Sequence, residues 1–189
     1  ESRALRISEQ ELWDNYAWFV ERAVPVAEKA GVKLALHPDD PPRSPVMGVP
    51  RLFSNVENFD RALGMIESEA HGICYCQGNF AAMGADVPAT IKHFGNKNVI
   101  NFVHFRDVDG SADKFTETFH DVGKTDMFQA MLAYRDAGYK GVMRPDHAPA
   151  MEGDPNTHPG YEARGRLFAI GYMIGLREGV ESYRRANTH

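Results

Sequence analysis

Apolar residues recur at helical spacing in the first part of the chain. Between residues 9 and 30 they repeat every three or four positions, which is the period of one helix face. These positions are Leu12, Tyr16, Phe19, Val20, Ala23 and Ala27. Ser8 and Glu11 have the spacing of a capping box, and Gly31 stands where a C-terminal glycine is expected. The pattern therefore predicts a long amphipathic helix over residues 9–30.

The rest of the chain alternates short apolar runs with further helical patterns. The runs have the length of buried strands and cover residues 32–37, 71–76, 99–105 and 141–144. Helices are predicted over residues 54–69, 87–94 and 126–137, and a last helix follows residue 159 and continues to residue 178. Strand-helix alternation, with strands that are apolar almost throughout, predicts a parallel sheet covered on both faces.

Three connecting segments and one helix start are also predicted from local signals. Ser54 and Glu57 have the spacing of a second capping box, which would open the helix over residues 54–69. Residues 77–86, 106–124 and 145–159 are expected to be loops. The loop over residues 106–124, which contains Glu117 and His120, is longer than a simple connection needs, and we expect it to line a functional site.

Two α/β architectures fit this order of elements. One is an open parallel sheet, and the other is part of a (βα)8 barrel, which typically needs about 250 residues. Four strand-helix units are half of such a barrel. A half barrel leaves two open sheet edges and an uncovered inner face, so this architecture requires an N-terminal half from elsewhere.

Composition excludes several classes of partner and compartment. The 189 residues are 43% apolar and 25% charged, which is ordinary for a globular domain. The net charge of −5 offers no basic surface for nucleic acid. No apolar run approaches the length of about 20 residues that a membrane helix needs, no secretory signal is recognised, and two cysteines are too few for a disulfide scaffold. We expect a cytoplasmic protein with no nucleic-acid or membrane partner.

A residue that can bind a metal ion follows or ends each predicted strand. These residues are His37, Cys76, His104 and Asp146. The carboxyl ends of parallel strands meet at one edge of the fold, so the four side chains are expected to converge. Imidazole, thiolate and carboxylate together suit a transition metal such as Mn, Fe, Co or Zn rather than an all-oxygen ion. Cys74 is expected to point to the opposite face of its strand and to serve packing.

Each of these residues has a simpler explanation when it is taken alone. A single histidine at a strand end more often forms a hydrogen bond than binds a metal, and a single cysteine is more often a small buried hydrophobic residue. Asp146 alone could cap a helix. Equivalent positions in four successive units are what favour a shared divalent-metal site.

Several segments together resemble the mannonate dehydratase family. They are HPDDPP (37–42), CQGNF (76–80), VHFRDV (103–108), TDM (125–127), RPDH (144–147) and PGYEARGRLFAIGYMIGL (159–176). The resemblance implies a TIM barrel of the xylose-isomerase-like type, of which residues 1–189 would supply the C-terminal half, four βα units, as a single domain. It also implies a lyase that converts D-mannonate to 2-keto-3-deoxy-D-gluconate with Mn²⁺ or Fe²⁺. The family often has HEADH where this chain has TETFH (116–120), so Glu117 and His120 are kept and the first histidine is not.

The resemblance also implies roles for individual residues. His37, Cys76, His104 and Asp146 match the family's metal ligands, and His147 and Tyr161 match its acid-base pair. Tyr161 is interpreted as the base at C2 and His147 as the acid to the leaving C3 hydroxyl, and the reverse assignment stays open.

Four further residues are candidates for binding the small sugar-acid substrate: Arg106, Asp39, Asp40 and His120. Arg106 could hold the substrate carboxylate with two hydrogen bonds, although a salt bridge to Asp107 or Asp109 is the alternative. Asp39 and Asp40 could instead serve the local turn.

Two other functions remain as alternatives. One is a metal-dependent sugar isomerase or epimerase on the same barrel, and the other is a barrel fragment that binds metal without catalysis. A homo-oligomer is also left open. The mannonate dehydratase interpretation predicts that the protein forms a 2-keto acid from D-mannonate.

Overall fold

A computed structural model describes residues 7–187, which form an α/β fold around a parallel sheet. The strands are β1 (Leu34–Leu36), β2 (His71–Cys76), β3 (Ile100–His104), β4 (Val108–Ser111), β5 (Lys114–Glu117) and β6 (Met143–Arg144). β1, β2, β3 and β6 lie side by side in that order, and each adjacent pair is parallel. β4 and β5 form a separate antiparallel hairpin. The predicted α/β class with a parallel sheet is confirmed.

Six helices accompany these strands in the described residues. They are α1 (Glu9–Ala30), α2 (Val56–Leu63), α3 (Gln77–Ala82), α4 (Val87–Asn96), α5 (Met127–Asp136) and α6 (Ala163–Asn187). Between residues 7 and 187, no helix is both long enough and apolar enough to cross a membrane.

The first helix has the ends that the sequence predicts. The Ser8 side chain accepts a hydrogen bond from the Glu11 backbone N–H, and the Glu11 side chain accepts one from the Ser8 backbone N–H. Gly31 ends the helix in the left-handed conformation, with φ 67°, which a residue without Cβ adopts with little strain. The capping box and the C-terminal glycine are therefore confirmed.

The start of α2 differs from the prediction. Asn55, not Ser54, is the N-cap residue, and its side-chain oxygen accepts a hydrogen bond from the Asn58 backbone N–H at 2.9 Å. Asparagine is as good an N-cap as serine, so a residue one position later takes the role. The predicted Ser54–Glu57 capping box is wrong.

Two of the predicted loops contain regular structure. Residues 77–82 form α3, all six residues of which are buried. A helix that is buried all round has no polar face, so its sequence lacks the period that marks a surface helix. Residues 108–117 form the β4–β5 hairpin, in which Gly110 has φ 114° and a Cβ would overlap the Lys114 carbonyl oxygen.

Aromatic side chains fill the main core between the sheet and its helices. Phe59, Tyr75, Phe80 and Phe94 are each buried, and the rings of Tyr75 and Phe80 stack with their centroids 4.2 Å apart. Phe59 packs against Phe80 and Phe94 and so connects α2, α3 and α4. This core packs against β2, and the carboxyl end of β2 carries Cys76.

Gly72 on β2 offers a test of the close packing beneath the site. A Cβ at this position would overlap the Val99 carbonyl oxygen and the Asn101 side chain. Gly72→Ala should therefore lower the free energy of unfolding by about 1–3 kcal/mol, as added volume does in a packed interior. Urea unfolding followed by circular dichroism measures the change.

Gly171 is the matched control because it lies on the exposed surface of α6, where a Cβ would meet nothing within 4 Å. Gly171→Ala should raise the free energy of unfolding by about 0.5–1 kcal/mol, since alanine favours the helix. If the two variants change stability equally, the proposed overlap at Gly72 is wrong.

Candidate active site

Three potential metal ligands meet at the carboxyl edge of the sheet. Cys76 is the last residue of β2, His104 is the last residue of β3, and Asp146 follows β6. Parallel pairing places Cys76 beside His104 and His104 beside Arg144. One donor atom from each of Cys76, His104 and Asp146 lies within 4.8 Å of the others. The predicted convergence of these strand ends is therefore present.

His37 joins this cluster through His104. Its Nε2 lies 3.1 Å from His104 Nδ1, while its Nδ1 lies 2.7 Å from the Pro38 carbonyl oxygen. Because a carbonyl oxygen only accepts, the contact assigns the ring proton to Nδ1 and leaves the Nε2 lone pair facing the cluster. Burial holds the pKa of His104 well below its ordinary value. In the 3.1 Å contact, His37 Nε2 therefore accepts from His104 Nδ1, and both nitrogens face the cluster where a metal ion would bind.

Cys76 supplies a fully buried sulfur. Its Sγ contacts Arg106 Nε at 3.3 Å and Asn79 Oδ1 at 3.2 Å. Burial raises the pKa of the Cys76 thiol to about 11, although the Arg106 guanidinium opposes this rise. A thiolate at this position therefore needs an additional cation, and the donor set of sulfur, imidazole and carboxylate fits a transition-metal ion.

Asp146 has an unusual backbone conformation. Its φ is 54°, in the left-handed region, which aspartate tolerates better than most residues without being free of strain. Its buried carboxylate lies 3.3 Å from His104 Nδ1, and Oδ1 lies 3.3 Å from Arg144 Nη2. The conformation occurs at the point where the chain must turn this carboxylate towards the other ligands.

Cys74 does not point away from the cluster, contrary to the prediction. Its sulfur lies within 4.8 Å of donor atoms of His37 and His104. Alternate residues of a strand share a face, so Cys74 and Cys76 were expected on opposite faces in error. A register shift between Ile73 and Cys74 adds a local irregularity. Both cysteines are buried and free.

The predicted acid-base pair lies beside the metal-ligand cluster. His147 Nε2 is 2.8 Å from the Tyr161 hydroxyl oxygen and 3.9 Å from Asp146 Oδ2. His147 Nδ1 is 3.1 Å from Glu117 Oε1, and this hydrogen bond raises the pKa of His147 above its ordinary value. Tyr161 is 42% exposed, so the pair is accessible to a small molecule.

Arg106 lies at the centre of a network of side chains rather than at an open surface. It is completely buried, and its guanidinium contacts the carboxylates of Asp40, Glu117 and Asp146 and the side chain of Asn79. Within residues 7–187, Arg106 forms neither of the salt bridges considered above, to Asp107 or to Asp109. Its predicted contact with a substrate carboxylate has no support from this placement, because the guanidinium has no exposed surface.

The other predicted substrate residues divide into two groups. Asp40 is partly exposed next to Arg106, whereas Asp39 accepts a hydrogen bond from the Phe53 backbone N–H and pairs with Arg51. His120 is fully buried, and its Nε2 lies 2.6 Å and 3.0 Å from the carbonyl oxygens of Phe105 and Pro145. Of the three, Asp40 has a placement that suits a substrate contact.

Glu117 is the site residue whose contacts the sequence did not predict. The residue ends β5, where it pairs with Val108 of β4. Asp107 fixes the base of this hairpin because it accepts hydrogen bonds from the backbone N–H and the hydroxyl of Thr125. The alternating pattern around Gly110 could have revealed the hairpin, but the contact with His147 depends on segments far apart in sequence.

Comparison with known proteins identifies the family of this chain. The family model of D-mannonate dehydratase (UxuA) matches residues 2–187. Mannonate dehydratase 2 of Halalkalibacterium halodurans is 39% identical over 181 residues, which cover 94% of this chain and 52% of the relative. The chain spans about half the length of the curated relatives it matches.

Solved structures give the same result for the fold. The crystal structure of mannonate dehydratase from Streptococcus suis serotype 2 matches with a TM-score of 0.89 and 38% identity, over 96% of this chain and 52% of that one. A D-tagatose 3-epimerase-like protein matches with a TM-score of 0.69 and 18% identity, over 92% of this chain and 57% of that one, which concerns the fold alone. By its sequence and its fold, the chain belongs to the D-mannonate dehydratase family.

Proposed function

We propose that this chain carries the metal ligands and the acid-base pair of a lyase that removes water from D-mannonate to give 2-keto-3-deoxy-D-gluconate. The observation that carries the proposal is the contact between the two groups: His147 Nε2 lies 2.8 Å from the Tyr161 hydroxyl oxygen and 3.9 Å from Asp146 Oδ2. Elimination of water needs a base and an acid close to a group that stabilises negative charge. His147 and Tyr161 would supply the first two, and a metal ion held by the neighbouring ligand cluster would supply the third.

We also propose that residues 1–189 are one domain, the C-terminal half of a (βα)8 barrel. Four parallel strands in sequential order, with the ligands at their carboxyl ends, are typical of such a barrel. The match to about half the length of each relative supports the same interpretation. Two free cysteines suit a reducing compartment, which we propose is the cytoplasm.

His37, Cys76, His104 and Asp146 would hold the metal ion, proposed to be Mn²⁺ or Fe²⁺. When bound, the ion supplies Lewis acidity to the substrate carboxylate and a neighbouring hydroxyl, which makes the C2 hydrogen more acidic. The mixture of nitrogen, sulfur and oxygen donors in the cluster favours such an ion over Mg²⁺ or Ca²⁺.

His147 and Tyr161 would carry the two proton transfers. The 2.8 Å hydrogen bond allows the Tyr161 hydroxyl to pass its proton to His147 Nε2. The Tyr161 oxygen then takes the C2 proton, and the electrons of the C–H bond form the C2–C3 double bond. The C3–O bond breaks as protonated His147 gives its proton to the leaving hydroxyl. The resulting enol becomes the 2-keto acid by tautomerisation.

Two residues are proposed to bind the substrate. Arg144 lies at the edge of the site, with its guanidinium carbon 5.9 Å from the centre of the Tyr161 ring. Its side chain is partly exposed, so its guanidinium can take a carboxylate oxygen of the substrate. Asp40, which is partly exposed beside Arg106, is proposed to accept a hydrogen bond from a sugar hydroxyl.

The experiment that tests this function is an assay of the intact protein with D-mannonate and either Mn²⁺ or Fe²⁺. We expect formation of a 2-keto acid, detected as its semicarbazone, and loss of that activity in the presence of a chelator. An interconverted sugar acid without any keto acid would instead indicate an isomerase or epimerase. Stoichiometric metal with no product from D-mannonate would contradict the proposal.

A further inference from the structure

The carboxylate of Glu117 connects the metal-ligand cluster with the acid-base pair. Its Oε1 contacts Arg106 Nη1 on one side and lies 3.1 Å from His147 Nδ1 on the other. The same guanidinium contacts the Cys76 sulfur through Nε. One carboxylate oxygen is therefore held by a cation that also contacts a metal ligand.

The position of Glu117 is fixed from two directions. Glu117 pairs with Val108, which follows Arg106 by two positions, and its carboxylate contacts the Arg106 guanidinium. Arg106 itself is completely buried and cannot move without losing several ionic contacts. Burial alone would raise the pKa of Glu117, but its hydrogen bond with His147 and the charge of Arg106 hold that pKa below its ordinary value. Glu117 is thus an anion in a defined place.

An ionised carboxylate accepts hydrogen bonds and donates none, so the ring proton of His147 must lie on Nδ1. Nε2 is then free to accept from the Tyr161 hydroxyl, with which it makes a 2.8 Å contact. With the proton on Nε2 instead, that nitrogen could not accept the proton of Tyr161. The arrangement requires one tautomer and one ring orientation.

We propose that Glu117 is a positioning residue that fixes the tautomer and the ring orientation of His147 for the proton transfers. The inference rests on the proposed dehydration, because that reaction is what the tautomer serves. Glu117 acts through His147 and not on the substrate. The β4–β5 hairpin is consequently a part of the active site, and its role is to bring this carboxylate to His147.

The test compares Glu117→Ala with Glu117→Gln, which keeps a side-chain oxygen for Nδ1 but not the charge. The ¹⁵N chemical shifts of the His147 ring are measured in the metal-free protein and identified by their absence in His147→Gln. Wild type and Glu117→Gln should show the proton on Nδ1, and Glu117→Ala should show it mainly on Nε2. Glu181→Gln, which removes a carboxylate that pairs with Arg135, is the matched control and should resemble wild type.

Kinetics of the metal-loaded protein provide the second measurement. Glu117→Ala should lower kcat by about 10–100-fold, the usual effect of losing a group that orients an essential histidine. KM measured at saturating metal should stay within about twofold of wild type, because Glu117 does not contact the substrate. Glu117→Gln should retain more of kcat than Glu117→Ala.

Two results would overturn the inference: an unchanged tautomer in Glu117→Ala, or a rise in KM with normal kcat, which would indicate a substrate contact. If wild-type protein forms no keto acid, the proposed function fails, while the ring shifts still decide whether Glu117 sets the tautomer. The failure of one proposal is therefore distinguishable from the failure of the other.

Discussion

Cys76→Ser should lower the affinity for Mn²⁺ or Fe²⁺ by more than about 100-fold and lose keto-acid formation in parallel, since even loss of a residue that only supports a ligand costs about 10–100-fold. Serine replaces a sulfur donor with a hydroxyl that stays protonated near neutral pH and binds these ions weakly. Metal content after dialysis and titration calorimetry measure the affinity. Circular dichroism confirms that the variant is folded.

Cys74→Ser is the matched control for this prediction. The two cysteines are both buried on β2, and both sulfurs approach His104 in the structure. If Cys76 is the ligand, Cys74→Ser should keep its metal and its activity. The opposite result, with metal lost from Cys74→Ser and kept by Cys76→Ser, would assign the site to His37, Cys74 and His104 instead.

Tyr161→Phe should keep its metal, and its kcat should fall by about 10²–10⁴-fold. This is the range for removal of a group that transfers a proton. The substitution removes one hydroxyl from a partly exposed ring and leaves the ligand cluster in place. Initial rates with D-mannonate at saturating metal measure the loss of kcat. Near-normal rates would show that Tyr161 takes no part in proton transfer.

Exchange of the C2 hydrogen distinguishes the two possible assignments of base and acid. If Tyr161 is the base, Tyr161→Phe should also stop the exchange of this hydrogen with deuterium from solvent. Exchange that continues while elimination stops would make His147 the base and Tyr161 the acid. Tyr183→Phe, which removes a hydroxyl from an exposed ring of α6, controls for the substitution and should be fully active.

The convergence of the strand-end residues could be predicted from sequence because it follows from topology. The carboxyl ends of neighbouring parallel strands lie at the same edge of the sheet. His104 and Asp146 therefore come close together whatever path the connecting loops take. The first helix was equally predictable, since Ser8 and Gly31 mark its ends with local signals. These features depend on hydrophobic periodicity and on helix capping, both of which can be recognised in a short stretch of sequence.

The role of Arg106 could not be predicted in this way. Its partners Asp40, Cys76, Glu117 and Asp146 come from four separated segments, and nothing in the sequence tells a buried guanidinium from one that faces a substrate. The same limit applies to α3, whose burial on all sides removes the polar face that would mark it as a helix. The face on which Cys74 lies could have been predicted, because alternate residues of a strand share a face. Our prediction placed it on the opposite face and was wrong.

The side chains around Arg106 also determine which ions the cluster can accept. Asp40, Glu117, Asp146 and an ionised Cys76 carry four negative charges, and Arg106 and Arg144 carry two positive ones. A divalent cation would neutralise the remainder, whereas a monovalent ion would leave one negative charge without compensation next to the buried Cys76 and Asp146, which is unfavourable. If Cys76 is a ligand, its thiol proton must leave as the ion enters, so we expect metal uptake to release a proton to solvent and to become stronger as the pH rises.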